Sequence, residues 1–158
     1  MNTTFEKTDD SSEWYTPKHI IDALGVFDLD PCSPEQPYNK IANKIYTKKD
    51  NGLTSEWSGS VYCNPPYGRE TKLWLTKCAE HNNCIALVFA RTETKMFFSE
   101  VWNKASAIFF IQGRLKFLNK DNISVGSAGA PSVLISYGGQ YKRLENIKQY
   151  IKGKYIKL

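Results

Sequence analysis

The chain has 158 residues, of which 41% are hydrophobic and 13% aromatic; this fits one domain with a real core and excludes wholesale disorder. No apolar run approaches the ~20 residues that a membrane span requires. The net charge of +5 is uneven, because residues 1–35 carry eight acids and two bases, whereas residues 36–158 carry eight acids and 19 bases. This asymmetry favours a polyanion-facing region beside an acidic pocket wall, and solvated faces of opposite sign explain it about as well.

The first ten residues are polar and contain no signal-peptide core, and we expect residues 1–12 to form a flexible arm before a single domain at 13–158. The four cysteines form no C-x-x-C pair and there are two histidines. We therefore expect no metal site and free thiols, as in a reducing cytoplasm.

The first half of the chain is predicted to begin with a helix that Thr16 caps, Pro17 opens and Gly25 ends. In order, the elements are a helix at 16–24, a strand at 26–29, an irregular loop at 31–40, a minor strand at 44–47, a strand at 60–63 and a helix at 69–81. Asp30 and Asn64 each come directly after a predicted strand.

The second half continues the alternation of strands and helices. Its elements are a strand at 84–90, a helix at 95–104, a strand at 107–112, an extended piece at 115–117, a loop at 118–131, a strand at 132–137 and an amphipathic helix at 140–152. This order predicts an α/β domain with a mostly parallel sheet. Such sheets bind ligands beyond the carboxyl ends of their strands, where Asp30 and Asn64 are expected.

The most specific motif is Asn64-Pro65-Pro66-Tyr67, followed by a glycine. Two prolines hold the backbone extended and remove two N–H donors, so the Pro65 carbonyl is a fixed acceptor beside the Asn64 amide oxygen. Two convergent acceptors receive both hydrogens of one planar amino group and pull its lone pair out of conjugation. Tyr67 offers a flat face to an extruded base. A plain strand-ending turn is the alternative for this motif in isolation.

Other residues fit a cofactor that resembles an amino acid. Thr16 at a helix start suits a carboxylate, and Asp30 at a strand end suits a cationic amine. Asp50 can accept from an adenine amino group while Leu53 packs on the ring. Each also has a structural explanation: a capped helix, a turn aspartate before proline, and an exposed Asp-Asn-Gly turn.

Taken in one order, these motifs resemble the phage-type DNA N6-adenine methyltransferases, a Dam-like family. The resemblance covers about residues 12–138 and rests on residues 13–17, 27–32, 50–53 with Trp57, 64–68, 89–92 with 94–95, 113–117 and 130–132. It implies a Rossmann-like methyltransferase that uses S-adenosylmethionine to methylate N6 of adenine in DNA, in the cytoplasm of a bacterium that carries a phage or prophage. The sequence does not determine the oligomeric state, and a monomer is compatible with it.

The resemblance also implies site residues. The catalytic set is Asn64, Pro65, Pro66 and Tyr67, and the cofactor set is Trp14, Thr16, Pro17, Asp30, Pro31, Cys32, Asp50, Leu53 and Asn64. The usual glycine-rich turn after the first strand is missing, because Asp30 is followed by Pro31-Cys32-Ser33-Pro34. The backbone must therefore approach the cofactor in another way, and Asp50 and Glu35 are alternatives for the acid at its ribose.

No separate recognition domain is visible, so base readout is expected from residues 113–131 and from the loop after Phe89. Candidate phosphate contacts are Arg91, Lys95, Arg114 and Lys116. Two other functions remain open: methylation of another planar nitrogen, in an RNA base or a protein glutamine, and a catalytically silent nucleic-acid-binding module.

Overall fold

A computed structural model describes residues 14–37 and 39–158; the predicted arm at 1–12 lies outside the described residues. Its helices are α1 (Lys18–Leu24), α2 (Thr71–His81), α3 (Lys95–Phe97), which continues into a π-helical segment at Phe98–Trp102, and α4 (Tyr141–Ile147). Its strands are β1 (Phe27–Asp30), β2 (Ala42–Ile45), β3 (Val61–Cys63), β4 (Asn83–Phe89), β5 (Ala107–Ile111), β6 (Lys116–Leu118), β7 (Ser124–Ser127), β8 (Ser132–Gly138) and β9 (Gly153–Lys157).

Seven of these strands form one mixed sheet, in the order β2-β1-β3-β4-β8-β5-β9. The half from β2 to β4 is parallel, as the sequence predicts. The other half is antiparallel, because β8 lies between β4 and β5 and pairs with both in the opposite direction. The predicted mostly parallel sheet is therefore confirmed in part: β1 to β5 run in one direction, and β8 and β9 run in the opposite one.

Helices cover both faces of this sheet, which explains why its central strands are apolar on both sides. Ile20 of α1 and Leu144 of α4 belong to the core on one face. Leu75 of α2 and Phe97 of α3 belong to the core on the other face. The continuous apolar runs of β4 and β8 are buried at almost every position, as is typical of strands enclosed between two helical layers.

The predicted loop at 118–131 contains a strand, β7, which forms a separate two-stranded sheet with β6. All four β7 side chains are exposed, so this strand carries no alternation of buried and exposed residues that a sequence could reveal. Its backbone pairing with β6 holds the hairpin together. We call residues 116–127 the β6–β7 hairpin.

The end of the chain also differs from the predicted helix at 140–152. The helix α4 stops at Ile147, and β9 adds an edge strand beside β5. Gly153 permits this pairing, since a Cβ there would lie 2.2 Å from the Phe110 carbonyl oxygen. Because the lysines of β9 are exposed, the sequence shows no strand pattern there. Exposed lysines are typical of a sheet edge that is protected against pairing with another chain.

The chain changes direction in the sheet at β1, and this positions the site. From β1 the chain adds β2 on one side and β3 on the other, so loops leave the carboxyl ends of β1 and β3 in opposite directions. A crevice opens at such a switch point in an open parallel sheet. Residues 31–34 and 64–67 border it.

Candidate active site

A cavity of about 370 Å³ lies at this crevice. The sequence-predicted residues that line it are Trp14, Pro31, Cys32, Leu53, Asn64, Pro65, Pro66 and Tyr67. Its remaining walls come from residues that the sequence did not single out as site residues: Ser33, Pro34, Thr47, Lys48, Asn51, Gly52, Glu70 and Trp74. The tertiary structure thus joins motifs that are up to 60 residues apart.

The Asn64 side chain is held in one orientation by the segment before α1. Its amide nitrogen Nδ2 donates to the Trp14 carbonyl at 2.9 Å and to the Thr16 hydroxyl at 3.3 Å. Among the described residues, no donor bonds to its amide oxygen Oδ1. The two nitrogen contacts therefore fix which atom is available, and it is the acceptor that the sequence predicts.

The two prolines after Asn64 differ in the use of their carbonyls. The Pro66 carbonyl accepts a 2.7 Å hydrogen bond from the Thr71 hydroxyl at the start of α2. The same hydroxyl accepts from the Gly68 amide at 3.0 Å, which closes the turn. The Pro65 carbonyl has no such donor within the described ranges, so it remains available beside Oδ1 of Asn64.

Tyr67 belongs to an aromatic cluster at the ends of β3 and β4. Its ring stacks on Phe89, with the ring centroids 4.1 Å apart and the planes 2° from parallel, and it meets Phe117 edge-on. One face of Tyr67 is therefore covered by Phe89, so an extruded base can stack only on the opposite face unless Phe89 moves. Burial raises the pKa of the Tyr67 phenol well above its ordinary value, so the ring stays neutral.

Thr16 is placed differently from its predicted role as a helix cap. Pro17 occupies the N-cap position of α1, and no side chain caps that helix. The Thr16 hydroxyl instead lies 2.7 Å from the Tyr62 hydroxyl and near Asn64, which ties the segment before α1 to β3. Pro17 starts α1 and lines neither the cavity nor its side chamber.

Asp30 ends β1 inside a side chamber of about 50 Å³, which shares Trp14, Cys32 and Asn64 with the main cavity. Its carboxylate accepts a 3.1 Å hydrogen bond from the Cys32 amide. Burial away from water raises the pKa of Asp30 to about 7, and that amide bond only partly opposes the rise. Within the described chain no cation pairs with it, so a buried carboxyl beside the cavity lacks a positive partner.

The opposite wall of the cavity is residues 47–55, which we call the 47–55 wall. Gly52 presses against the loop after β1: a Cβ on it would lie 2.0 Å from the Pro31 carbonyl oxygen and 2.9 Å from the Trp74 ring. Only glycine allows this approach without movement of the backbone. The loop after β1 and the 47–55 wall therefore pack closely at this position.

Asp50 does not line the cavity, although its neighbours do. Its carboxylate accepts from the backbone amide of Thr47 at 2.8 Å and from the Thr47 hydroxyl at 3.2 Å, and so closes a turn. The structure therefore supplies the structural explanation for Asp50 and leaves its contact with an adenine ring a prediction. Glu35 forms a surface ion pair with Lys49.

The four predicted phosphate contacts are exposed and flank the aromatic cluster along the chain. Arg91 follows Phe89 by two residues, and Lys95 begins α3 just beyond it. Arg114 and Lys116 bracket the start of the β6–β7 hairpin, whose Phe117 contacts Tyr67. Contact of these four residues with a phosphate stays a prediction.

Tyr62 and Trp74 were not foreseen from the sequence as contributors to the site region, because core packing explains an aromatic residue in a strand or a helix equally well. Phe89 and Phe117 lie in motifs that carry the resemblance, and Phe117 lies within residues 113–131, from which base readout is expected. The sequence predicted no role for their rings. The edge-on contact of Trp14 with Phe117, 5.4 Å between centroids, was likewise set by tertiary packing.

Burial raises the pKa of the Cys63, Cys78 and Cys84 thiols, so they behave as small core residues rather than nucleophiles. In residues 14–37 and 39–158, no three metal-ligating side chains form a group that could hold an ion. No helix in these ranges is long and apolar enough to cross a membrane.

Comparison with known proteins adds independent findings. The model of a family described as DNA N-6-adenine-methyltransferase (Dam) matches residues 2–150. A protein of Escherichia phage T1 named DNA N-6-adenine-methyltransferase is 32% identical over 111 residues, which cover 65% of this chain and 45% of the phage protein. The chain thus matches less than half the length of that relative. No solved structure matches the chain.

Proposed function

The chain belongs to the DNA N-6-adenine-methyltransferase (Dam) family, and on this premise we propose that it methylates the N6 amino group of adenine in DNA, with S-adenosylmethionine as methyl donor. The observation that carries the proposal is the pair of available acceptors, Oδ1 of Asn64 and the carbonyl of Pro65, beside the Tyr67 ring at the mouth of a cavity. A planar amino group is the ligand that such a pair fits.

The acceptors act on the electronic state of the amine. When both N–H bonds of an exocyclic amine are held by acceptors, the nitrogen lone pair is drawn out of conjugation with the ring and becomes nucleophilic. Because Asn64 is locked by its own hydrogen bonds, its oxygen needs no reorganisation when the reaction begins, and fixed dipoles of this kind stabilise a transition state strongly. Tyr67 holds the base plane in register with the acceptors.

The residues present fit S-adenosylmethionine. The main cavity has the volume of a small-molecule site, and the close approach of Gly52 shapes its wall. The buried Asp30 carboxyl in the side chamber fits a cation, such as the amine of an amino-acid group. When bound, this cofactor supplies an activated methyl group. The chain would hold it through Asp30, the loop 31–34 and the 47–55 wall.

The Rossmann-like fold is part of the same proposal. The parallel order β2-β1-β3-β4, helices on both faces and a site at the switch point support it. Action on phage or host DNA in the bacterial cytoplasm also belongs to the proposal, and it rests on the family and on the phage T1 relative.

Replacement of Asp30 by asparagine is expected to stabilise the protein and weaken cofactor binding together. In the folded protein Asp30 keeps its proton up to about pH 7, whereas the ordinary pKa, expected in the unfolded chain, is 3.8. The free energy of unfolding therefore falls as the pH rises between these two values, by up to about 4 kcal/mol. The Asp30→Asn variant lacks this loss of stability, so it should melt at a higher temperature than the parent protein at pH 8. Because an amine pairs only with the carboxylate, binding of S-adenosylhomocysteine should weaken by about 10–100-fold above pH 7.

The pH profile separates this prediction from a general defect. Affinity of the parent protein for S-adenosylhomocysteine should rise up to about pH 7 and then level off, whereas the Asn variant should show no such rise. Asp22→Asn, which changes an exposed acid of α1, is the matched control for both measurements. Equal melting temperatures and equal affinities in Asp30→Asn and the parent would contradict the assignment.

DNA affinity is expected to depend on the basic residues around the aromatic cluster. Each phosphate contact releases counterions, so the logarithm of affinity falls with the logarithm of salt concentration by about 0.9 per contact. Arg91→Ala and Lys95→Ala should each flatten this slope by about one unit and weaken binding to all sequences alike. Salt titration of binding to target and scrambled duplexes measures it.

Lys154→Ala on the exposed edge strand β9 is the control for that titration, since this strand lies at the far edge of the sheet from β1. A slope that falls in this variant and stays constant in the Arg91 variant would move the DNA contact to the basic end of the chain. A change of base in the preferred site should instead act through the β6–β7 hairpin, at about 1–3 kcal/mol per base pair.

Transfer of a labelled methyl group from S-adenosylmethionine to DNA, RNA and protein, assayed side by side, tests the function itself. Label in N6-methyladenine of DNA supports the proposal. Label in RNA or in glutamine would favour methylation of another planar nitrogen. Absence of S-adenosylhomocysteine binding by calorimetry would favour a silent nucleic-acid-binding module.

A further inference from the structure

Lys77 lies in the middle of α2, and its side chain forms hydrogen bonds with three backbone carbonyls of one short loop. Its ammonium donates to the carbonyls of Gly52 at 3.0 Å, Leu53 at 2.8 Å and Ser55 at 2.5 Å. An ammonium has three N–H donors, so all three are used. An ordinary surface lysine on a helix extends into solvent, whereas Lys77 is half-buried and bends back onto this loop.

Trp57 completes the arrangement around the ammonium. Its indole N–H donates to the Gly52 carbonyl at 2.8 Å, so that oxygen accepts from both side chains. The ammonium also lies 5.0 Å from the centroid of the Trp57 ring, which stacks on Trp74 at 6.4 Å. We call Lys77 and Trp57, with the three carbonyls that they hold, the Lys77 clamp.

The clamped loop is the part of the 47–55 wall that meets the cavity. Gly52 and Leu53 line the cavity directly, and Gly52 is seated against Pro31 with no room for a side chain. Leu53 packs against the core, but Asn51 and Thr54 of the wall are exposed and contribute no apolar burial. The shape of the wall therefore depends also on polar contacts, and the ammonium of the clamp provides three of them.

Three carbonyl oxygens directed at one point repel one another unless a cation lies between them. Removal of the ammonium leaves their dipoles uncompensated, and the wall can relieve this only by turning its peptide planes. That movement shifts Gly52 away from Pro31 and widens the cavity. The acceptors of Asn64 and Pro65 lie on a different loop, which Thr71 and Trp14 hold.

We propose that Lys77 is a positioning residue for the cofactor: by neutralising three wall carbonyls it holds the 47–55 wall in the shape that binds S-adenosylmethionine. This inference rests on the proposed function. It assigns to Lys77 a role in cofactor affinity and none in activation of the target amine.

The test is Lys77→Met, which keeps the aliphatic stem and removes the donors, measured with S-adenosylhomocysteine by calorimetry and with S-adenosylmethionine in steady-state methyl transfer. We expect the dissociation constant and the KM for the cofactor to rise by about tenfold or more. The turnover number at saturating cofactor should stay within about twofold, because the amine acceptors are untouched. Lys77→Arg, which retains a cation and several donors, should restore most of the affinity.

Lys72→Met, an exposed lysine on the same helix, is the matched control and should leave both constants unchanged. If the parent binds the probe and Lys77→Met binds it equally well, the inference is wrong and the proposed function stands. If the parent does not bind the probe, the proposed function fails. Two further outcomes would contradict a positioning role for Lys77. One is a fall in turnover with unchanged KM. The other is weak binding in Lys77→Arg and Lys77→Met alike with lowered melting temperatures in both, which would show a structural role only.

Discussion

Replacement of Asn64 by alanine is expected to lower the turnover number by about 10²–10³-fold, the loss found when one preorganised partner of a transition state is deleted. The variant retains the Pro65 carbonyl but loses the second acceptor, so the amine lone pair stays conjugated with the ring. The variant also loses the Nδ2 hydrogen bonds to the Trp14 carbonyl and the Thr16 hydroxyl, which hold the segment before α1. Each contributes about 0.5–1.5 kcal/mol, so the change in cofactor affinity should be smaller than the change in turnover.

Single-turnover methyl transfer at saturating DNA and cofactor measures the turnover effect, and calorimetry with S-adenosylhomocysteine measures the affinity. Asn103→Ala is a suitable control, because Asn103 is exposed at the end of the π-helical segment and lines neither the cavity nor its side chamber. Unaltered turnover in Asn64→Ala would show that Asn64 only anchors the segment before α1. A loss of affinity as large as the loss of turnover would place its role in the cofactor site.

The second large effect is expected at Tyr67. Tyr67→Ala removes the stacking surface for the extruded base, which is worth about 1–3 kcal/mol, or roughly 5- to 150-fold in the rate at limiting DNA. It also leaves Phe89 without its stacked partner, so some loss of stability accompanies it. Tyr67→Phe keeps the ring and should retain most of the activity.

The comparison of the two Tyr67 variants is the informative measurement. Turnover per unit of folded protein, assayed at equal fraction folded, separates stacking from stability. If Tyr67→Phe is as inactive as Tyr67→Ala, the phenol itself has a role beyond stacking. Phe89→Leu tests the other ring of the stack: if activity is retained, the base uses the face of Tyr67 opposite Phe89.

The catalytic motif was predictable because its chemistry is local. Four consecutive residues, Asn64 to Tyr67, define two acceptors and a ring through backbone restraints that the sequence contains. Asp30 was predictable for a similar reason, as a carboxyl at the end of a short apolar strand. The groups that orient Asn64, which are the Trp14 carbonyl and the Thr16 hydroxyl, and the contacts that bury Asp30 were not predictable, because they come from residues up to 50 positions away.

The parallel half of the sheet followed from apolar strands separated by helical patterns. The antiparallel half did not, since β8 reads as a buried strand whichever direction it runs. β7 and β9 were missed because their side chains are exposed, and a strand without a buried face leaves no period-two pattern.

By itself the sequence determined the alternation of elements, the acceptor motif after β3 and the resemblance that points to adenine methylation, because each of these depends on neighbouring residues. The tertiary structure decided which loops form the cavity, which amide atom of Asn64 is available, that Asp50 closes a turn, and that Lys77 reaches the 47–55 wall. Those features depend on contacts between distant segments, and such contacts arise only when the sheet brings the carboxyl ends of β1 and β3 together.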